Sequence, residues 1–353
     1  MEQNGSRLRA TVVLTCSIAA SGARELKVRS KAHKAVYNHT LATILVEYAS
    51  AVIYMSDLTE LFSWTCHRCD GKTKGFEVIK LIVDLQHCLQ AHVGVAKDLN
   101  AMVIAFRGSQ EHRIQNWVED LYWKQVDISY PGIFVAMVSS SWIYYAYHNM
   151  TMQLGTMDAV KRAKDLYGDI NIMVTGHSID GLWHPFGDLI FCFFQTSTRL
   201  IYLTFGQPHI GNAMFVSYYS IPITNGNDIV PHLPLYYSRF PQKTYHHFPR
   251  VVRLYDIGFG SPVNEVEKVC DGSGEDPMCS RNTYGRLIKV CFCILVTGNS
   301  ITDHLLYYGV ELMAETGGSC KIVMDSRLKE YGNEDKGNLM LLRNPSASAL
   351  RLR

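Results

Sequence analysis

Ser178 lies in a short segment whose residue types could activate a hydroxyl group for nucleophilic attack. The segment is Val174-Thr-Gly-His-Ser-Ile-Asp180, and it overlaps the β-branched run Ile170–Thr175, which predicts a buried strand. A strand that leads into Gly-x-Ser and then into a helix turns sharply and lifts the serine hydroxyl above the sheet. The free amides at the start of such a helix face the negative charge that develops during acyl transfer. The pattern indicates a nucleophilic serine, although Gly-x-Ser alone is common by chance.

The elements that must position this serine alternate between strands and helices along the chain. Helix-like apolar spacing covers Leu41–Met55, and a second helix is predicted over Asp158–Tyr167. Strands are predicted at Phe76–Val83, at Gly94–Ala96 with Ala101–Phe106 as a hairpin, at Ile170–Thr175, at Leu200–Phe205 and at Thr244–Tyr255, the last broken at Pro249. Such alternation predicts an α/β fold with helices on the faces of a sheet.

The composition is that of an ordinary globular protein. Of 353 residues, 47% are hydrophobic and 19% are charged, and the net charge is +2. The charge balance suggests neither a polyanionic partner nor a strongly acidic substrate. Because no Lys/Arg block is interleaved with aromatic residues, nucleic-acid binding is set aside. No segment after the N-terminal region approaches the ~20 apolar residues that span a membrane.

The first residues have the order of a secretory signal peptide. Arg7 and Arg9 precede an apolar run, and small residues follow at a plausible cleavage point, so residues 1–23 are predicted to be the signal. A buried N-terminal strand is the alternative. The prediction divides the rest into an enzyme domain at 24–335 and a polar C-terminal tail at 336–353. The chain is expected in the secretory pathway, either outside the cell or in an endomembrane lumen.

Glycosylation triplets and cysteines agree with export. Asn38 and Asn149 each begin an Asn-x-Thr triplet. In an oxidising compartment, the pair in Cys66-His-Arg-Cys69 indicates a disulfide rather than a zinc site, because no second ligand pair has metal spacing. The disulfide candidates are Cys66, Cys69, Cys88, Cys270 and Cys279, and their pairing cannot be deduced from sequence. Neither a metal nor an organic cofactor is predicted.

Several short motifs occur along about residues 36–325. They are the segment around Ser178, Ile104–Ser109, Thr204–Pro208, Ile210–Asn212, Asn227–Pro234, Tyr245–Pro249 and Thr302–Leu305. Together they resemble the class 3 lipases, the fungal-lipase-like triacylglycerol lipases, in their secreted plant form. The resemblance implies an α/β-hydrolase fold whose central sheet is mostly parallel, with helices on both faces and a lid helix. It also implies hydrolysis of carboxylic esters of lipids at a membrane or droplet surface.

The resemblance assigns roles to residues that spacing alone would not select. Asp228 would be the triad acid and His304 the general base, which with Ser178 gives the chain order Ser, Asp, His of α/β-hydrolases. The alternatives are a turn residue for Asp228 and a helix-terminal residue for His304. Ser109 would supply the first oxyanion donor and the backbone N–H of Ile179 the second. For Ser109, a simple turn residue is the alternative.

The segment after Ser109 has an amphipathic pattern. Ile114, Trp117, Val118 and Leu121 follow i, i+3, i+4 and i+7 spacing and would form one apolar stripe on a helix. A helix that faces the core would have the same pattern. In class 3 lipases this segment is the lid, whose apolar face covers the site in water and opens on lipid. The resemblance therefore favours a lid.

Three segments depart from the family pattern. Asp180 stands where the turn after the serine usually has Gly, and Pro185 removes a backbone donor from the following helix. If the codons that the family commonly uses in this helix are read in a frame shifted by one base, they encode the residues found at 182–186. The segment 180–191 is therefore interpreted as frame-slipped. The segment 219–224 is shortened, and 286–297 is inserted. The alternative function is therefore an inactive lipase-like protein or a degraded gene product. A serine peptidase is less favoured, because the oxyanion and lid segments match lipases.

Overall fold

A computed structural model describes eighteen stretches of the chain. They are residues 37–54, 57–85, 89–107, 125–127, 138–140, 151–178, 200–209, 220–226, 228, 230–232, 250–256, 265–272, 276, 279, 299–313, 323–332, 334–335 and 338–343. No helix within these stretches has both the length and the hydropathy that a membrane crossing requires. Predictions that lie outside them concern the signal peptide 1–23, Ser109, Ile114, Trp117, Val118, Leu121, Cys88, Asn149, Ile179, and the segments 180–191 and 286–297.

Strands and helices alternate along the described stretches. The strands are β1 (Glu77–Asp84), β2 (Leu89–Ala96), β3 (Ala101–Arg107), β4 (Gln125–Asp127), β5 (Val138–Ser140), β6 (Asn171–His177), β7 (Leu200–Phe205), β8 (Ser220–Asn225), β9 (Val252–Asp256), β10 (Glu265–Val269), β11 (Leu306–Tyr307), β12 (Val310–Glu311), β13 (Glu334–Asp335) and β14 (Asn338–Leu342). The α-helices are α1 (His39–Tyr54), α2 (Leu58–Ser63), α3 (Thr151–Tyr167) and α4 (Asn299–His304).

Most predicted elements are confirmed. The two predicted helices are α1 and α3, and α3 begins seven residues before the predicted start at Asp158. The predicted strand over Thr244–Tyr255 begins as β9 only at Val252, and its earlier part lies outside the described residues. Local apolar patterns were sufficient here because each element buries a continuous stripe or face.

One large sheet organises the described part of the chain. Its ten strands have the order β10-β9-β8-β7-β6-β3-β2-β1-β14-β13. The strands from β3 through β6, β7 and β8 to β9 are parallel, and the pairings outside that group are antiparallel. The predicted α/β architecture with a mostly parallel centre is therefore confirmed.

The sheet has an apolar core on each face. Along β3 the side chains alternate: Ala101, Val103 and Ala105 join the core under α1 and α2, while Met102, Ile104 and Phe106 join the core under α3. Such a strand is apolar on both sides because helices cover both faces of the sheet. This arrangement explains why the sequence of β3 is a continuous hydrophobic run.

Helix α1 has a defined start. The Asn38 side-chain oxygen accepts a hydrogen bond from the backbone N–H of Leu41 at 2.9 Å, which satisfies one of the free amides of the first turn. Asn38 is exposed, and a glycan would attach to its side-chain nitrogen, which this capping bond does not use. The geometry is compatible with the predicted glycosylation.

The C-terminal region differs from the prediction of a polar tail at 336–353. Residues Asn338–Leu342 form β14, which pairs antiparallel with β1. Leu339 and Leu341 are buried in the core under α1 and α2. The five-residue strand was missed because polar residues flank it on both sides, and only the sheet edge at β1 gives its alternating leucines a place to pack.

Two of the predicted cysteine groups form disulfides. Cys66 is bonded to Cys69, and Cys270 to Cys279. Asp276 lies beside the second disulfide, with its carboxylate and both sulfurs within 4.8 Å of one another. Both sulfurs are used by the disulfide, so the group offers no thiolate to a metal ion.

His92 is buried in β2 among aromatic rings. Its ring centroid lies 5.1 Å from that of Trp64, 5.4 Å from Phe76 and 6.3 Å from Tyr48. Neither ring nitrogen has a hydrogen-bond partner among the residues that the structure describes. Burial lowers the pKa of His92 to about 3, so the ring is neutral in the folded protein.

Replacing His92 with Phe should make the protein less sensitive to acid. Between about pH 6.5 and 3 the unfolded chain binds a proton at His92 that the folded chain does not, so stability falls as the pH falls. Over this range, the free energy of unfolding of the variant should fall by up to about 1.4 kcal/mol less per pH unit than that of the original protein. Urea unfolding at several pH values tests this. The same change of unfolding free energy with pH in both proteins would contradict it.

Candidate functional site

The candidate residues meet at one edge of the sheet. Ser178 directly follows β6, Gly206 directly follows β7, and Asp228 comes three residues after β8. Since these strands are parallel, their carboxyl ends lie side by side, which is where α/β proteins place their sites. Residues 220–224 of the segment interpreted as shortened lie in β8, which leads to Asp228 at this edge.

Ser178 has a strained backbone. Its φ is +61°, in the left-handed region that non-glycine residues rarely adopt, and its side chain is buried. That conformation costs about 1–2 kcal/mol in a residue with a Cβ atom. A serine held this way at the end of a buried strand has the backbone geometry expected of the predicted sharp turn. The residues after it lie outside the described stretches.

Asp228 and His304 form a buried hydrogen-bonded pair. The distance between His304 Nδ1 and Asp228 Oδ2 is 2.8 Å, and both side chains are almost completely buried. A carboxylate only accepts hydrogen bonds, so Nδ1 of His304 donates in this bond, and in the neutral form of the ring Nε2 carries a lone pair. Among the described residues, Nε2 has no hydrogen-bond partner. The nitrogen is therefore available to accept a proton.

Two further donors fix the Asp228 carboxylate. The hydroxyl of Tyr307 donates to Oδ2 at 2.6 Å, and the backbone N–H of Val230 donates to Oδ1 at 2.9 Å. Burial, reinforced by the Asp228 charge, raises the pKa of Tyr307 well above its ordinary value, so the hydroxyl keeps its proton. Tyr307 was not singled out in the sequence, and the only available signal is its place three residues after His304.

The end of β8 also holds the segment that carries His304. The side-chain nitrogen of Asn225 donates to the backbone oxygens of Asp303 at 3.2 Å and Leu306 at 2.6 Å. These two bonds flank His304 in the chain. The end of the strand that leads to Asp228 is therefore hydrogen-bonded to the backbone on both sides of His304.

Gly206 leaves room for this pair. Its φ is +61°, and a Cβ at this position would lie 2.8 Å from His304 Nδ1 and Cε1 and 3.0 Å from Asp228 Oδ2. These distances are shorter than van der Waals contact, so a side chain would displace the imidazole. The sequence motif contains Gly206, but its role depends on residues that are distant in the chain.

His304 lies next to the nucleophile segment. The centroid of its ring is 4.4 Å from that of His177, the residue immediately before Ser178. The structure therefore brings His304 next to the residue that precedes Ser178, but the Ser178 hydroxyl makes no hydrogen bond with His304 Nε2. A serine hydroxyl beside an oriented imidazole whose partner is a carboxylate can perform nucleophilic acyl transfer. The predicted oxyanion donors Ser109 and Ile179 lie outside the described residues.

Comparisons with known proteins agree with this geometry. The family model for lipases of class 3 matches residues 103–238. A lipase of Rhizomucor miehei is 28% identical over 263 residues, which are 70% of this chain, and the match spans 62% of the length of that lipase. A Caenorhabditis elegans lipase is 25% identical over 320 residues, with 81% of this chain and 83% of the relative covered.

A solved structure shows the same fold. It is that of a triacylglycerol lipase whose catalytic centre is formed by a serine protease triad, and its TM-score with this chain is 0.58 at 26% identity. The match covers 80% of this chain and 96% of the solved one. Family model, relatives and fold agree with the motifs in the sequence, and over residues 103–238 the chain is similar to the lipases of class 3.

Proposed function

We propose that this protein hydrolyses carboxylic esters of lipids through an acyl-enzyme intermediate on Ser178. The observation that carries the proposal is the juxtaposition of a strained serine after β6 with the buried Asp228–His304 pair at the same sheet edge. The match of residues 103–238 to the model of class 3 lipases and the similarity to the fold of a triacylglycerol lipase support it.

In the proposed reaction His304 moves one proton in each direction. Ser178 Oγ attacks the ester carbonyl carbon while His304 Nε2 takes its proton, and Asp228 stabilises the imidazolium that forms. The tetrahedral intermediate then collapses, the ester C–O bond breaks, and His304 returns the proton to the leaving alcohol. A water molecule attacks the acyl-enzyme with the same base and releases the fatty acid. Backbone donors at Ser109 and Ile179 would hold the oxyanion.

The proposed substrates are triacylglycerols or polar lipids at a membrane or droplet surface. The solved relative is named as a triacylglycerol lipase, which favours the first class. The proposed chemistry uses side chains and water and requires no cofactor. We further infer a secretory route, supported by the disulfides Cys66–Cys69 and Cys270–Cys279, which persist in oxidising compartments.

Covalent labelling tests the proposed function directly. The purified protein should hydrolyse p-nitrophenyl butyrate, and an alkyl fluorophosphonate should block the reaction at one equivalent. Mass spectrometry of the digested protein should then find the phosphonyl group on the peptide that contains Ser178. An activated serine attacks the phosphorus of this reagent as it attacks the carbonyl carbon of an ester. Labelling therefore shows that the Ser178 hydroxyl is activated, and not only that it is present.

Three outcomes would contradict the proposal. Hydrolysis that continues after complete labelling, or a label on another residue, would exclude Ser178 as the nucleophile. A folded protein that neither hydrolyses the ester nor reacts with the fluorophosphonate would instead support an inactive lipase-like protein. That result would direct attention to Asp180 and Pro185 in the segment after the serine.

Replacing Trp117 with Asp should reduce activity on emulsified triacylglycerol more than on a soluble short-chain ester. If 114–121 is a lid, its apolar stripe meets the lipid surface, and a charge there weakens that contact, with a difference of about 10-fold or more. Leu154→Asp is a matched control, because Leu154 is 71% exposed on α3, which packs on β1 and β2. Equal losses on both substrates would contradict a lid.

A further inference from the structure

The last carbonyl of helix α4 is bound by a side chain from β6. His177 Nε2 lies 2.7 Å from the backbone oxygen of His304, and this contact is buried. The terminal carbonyls of a helix have no partner within the helix, so they need donors from elsewhere. His177 is therefore a side-chain cap for the helix that carries the proposed general base.

The contact defines the protonation state of His177. A backbone carbonyl only accepts hydrogen bonds, so Nε2 of His177 must carry a hydrogen. Burial, and then the proximity of His304, lower the pKa of His177 well below its ordinary value. His177 is therefore the neutral Nε2–H tautomer, and it adds no positive charge beside the His304 imidazole.

The contact also links the nucleophile to the base by a short path. Ser178 is the next residue in the chain after His177, and His177 binds His304 both through the carbonyl and through the 4.4 Å ring contact. His177 itself is the last residue of β6, where it pairs with Phe205 of β7. The backbone of His177 is therefore fixed in the sheet, and its side chain binds the end of α4.

We propose that His177 is a positioning residue that sets the separation and orientation of Ser178 and His304. This inference rests on the hydrolase function proposed above. Proton transfer requires the serine oxygen and the imidazole nitrogen within hydrogen-bond reach, and a displacement of about 1 Å can cost on the order of 100-fold in rate. Asp228 orients the imidazole from the other side, and His177 fixes the backbone from which the imidazole projects.

A matched pair of variants separates the hydrogen bond from the packing. Gln has a terminal nitrogen near the position of histidine Nε2, whereas Met has the same length and shape but no donor. His177→Met should lower kcat for p-nitrophenyl butyrate by about 10- to 100-fold with KM changed less than about 2-fold. His177→Gln should retain kcat within about 5-fold of the original. Ser178→Ala gives the background rate.

The outcomes distinguish this inference from the proposed function. If the original protein shows no rate above Ser178→Ala, the hydrolase proposal fails. If it does, and His177→Met has the original kcat, only the positioning role fails. A change confined to KM, or equal kcat losses in Met and Gln, would also overturn the role of the hydrogen bond.

A measurement on the unmodified protein covers the case in which both variants fail to fold. Nitrogen-15 correlation spectra of the imidazole rings distinguish the two neutral tautomers from the charged form. His177 should give the Nε2–H pattern and stay neutral as the pH falls through 6.5, where an ordinary histidine takes up a proton. An Nδ1–H pattern would overturn the inference, because that tautomer cannot donate to the His304 carbonyl.

Discussion

Replacing Ser178 with Ala should lower kcat for p-nitrophenyl butyrate by about 10⁶-fold, which is the scale seen when the nucleophile of a triad is removed. Asp228 and His304 would remain paired, but no hydroxyl would be present to attack the carbonyl carbon. Thermal unfolding should change little, because Ala and Ser pay similar strain at φ +61°. A rate that survives in the variant would show that another group attacks the ester.

Ser178→Gly should also lose activity, but it should be more stable than Ser178→Ala. Glycine adopts φ +61° without the strain of about 1–2 kcal/mol that a Cβ causes. Its greater freedom in the unfolded chain costs about 0.5–1 kcal/mol of stability and offsets part of this gain. A net gain of about 0.5–1 kcal/mol is expected in urea unfolding. A Gly variant less stable than the Ala variant would mean that the serine backbone is not strained.

The parts of the fold that could be predicted are those with a local signal. The strand β6 and the serine after it lie within eight consecutive residues, and their pattern already contains the turn. The strand β3 is apolar on both faces, so it was recognised as a core strand. The short strand β14 could not be found in this way, because its leucines have a role only when β1 is beside them.

The acid and the base of the site have no local signal. Asp228 and His304 are 76 positions apart, and their contact is created by the sheet and by Asn225. They could be named only through the family resemblance. Tyr307 and Gly206 belong to the same site. The hydroxyl of Tyr307 and the missing Cβ of Gly206 have a role only when Asp228 and His304 lie beside them. Pattern reasoning therefore finds the nucleophile but not the groups that surround its partners.

The second large effect is expected for Asp228→Asn, which should lower kcat by about 10⁴-fold, as expected when the acid of a triad becomes an amide. The carboxylate accepts three hydrogen bonds, from His304 and Tyr307 at Oδ2 and from Val230 at Oδ1. An amide has only one accepting oxygen, so its NH₂ group must take the place of either Oδ1 or Oδ2 and cannot accept the hydrogen bonds made there.

The two orientations of the amide have different consequences. If its oxygen replaces Oδ2, its NH₂ group faces the backbone N–H of Val230, and a buried donor loses its partner at a cost of about 1–3 kcal/mol. If its NH₂ group replaces Oδ2, the Tyr307 hydroxyl can rotate to accept, and His304 must accept at Nδ1. The second orientation keeps the bond from the Val230 N–H and leaves the hydrogen of the Tyr307 hydroxyl without its present acceptor, and it moves the imidazole proton to Nε2.

That tautomer explains the size of the expected loss. With a proton on Nε2, His304 cannot accept the proton of Ser178, although the site looks unchanged in shape. The residual rate should nevertheless exceed that of Ser178→Ala, because the nucleophile is still present. Asp98→Asn makes the same charge change on an exposed turn before β3, at the opposite edge of the sheet, and should leave kcat unchanged. A folded Asp228→Asn protein with less than a 10-fold loss would show that Asp228 does not set the tautomer of His304.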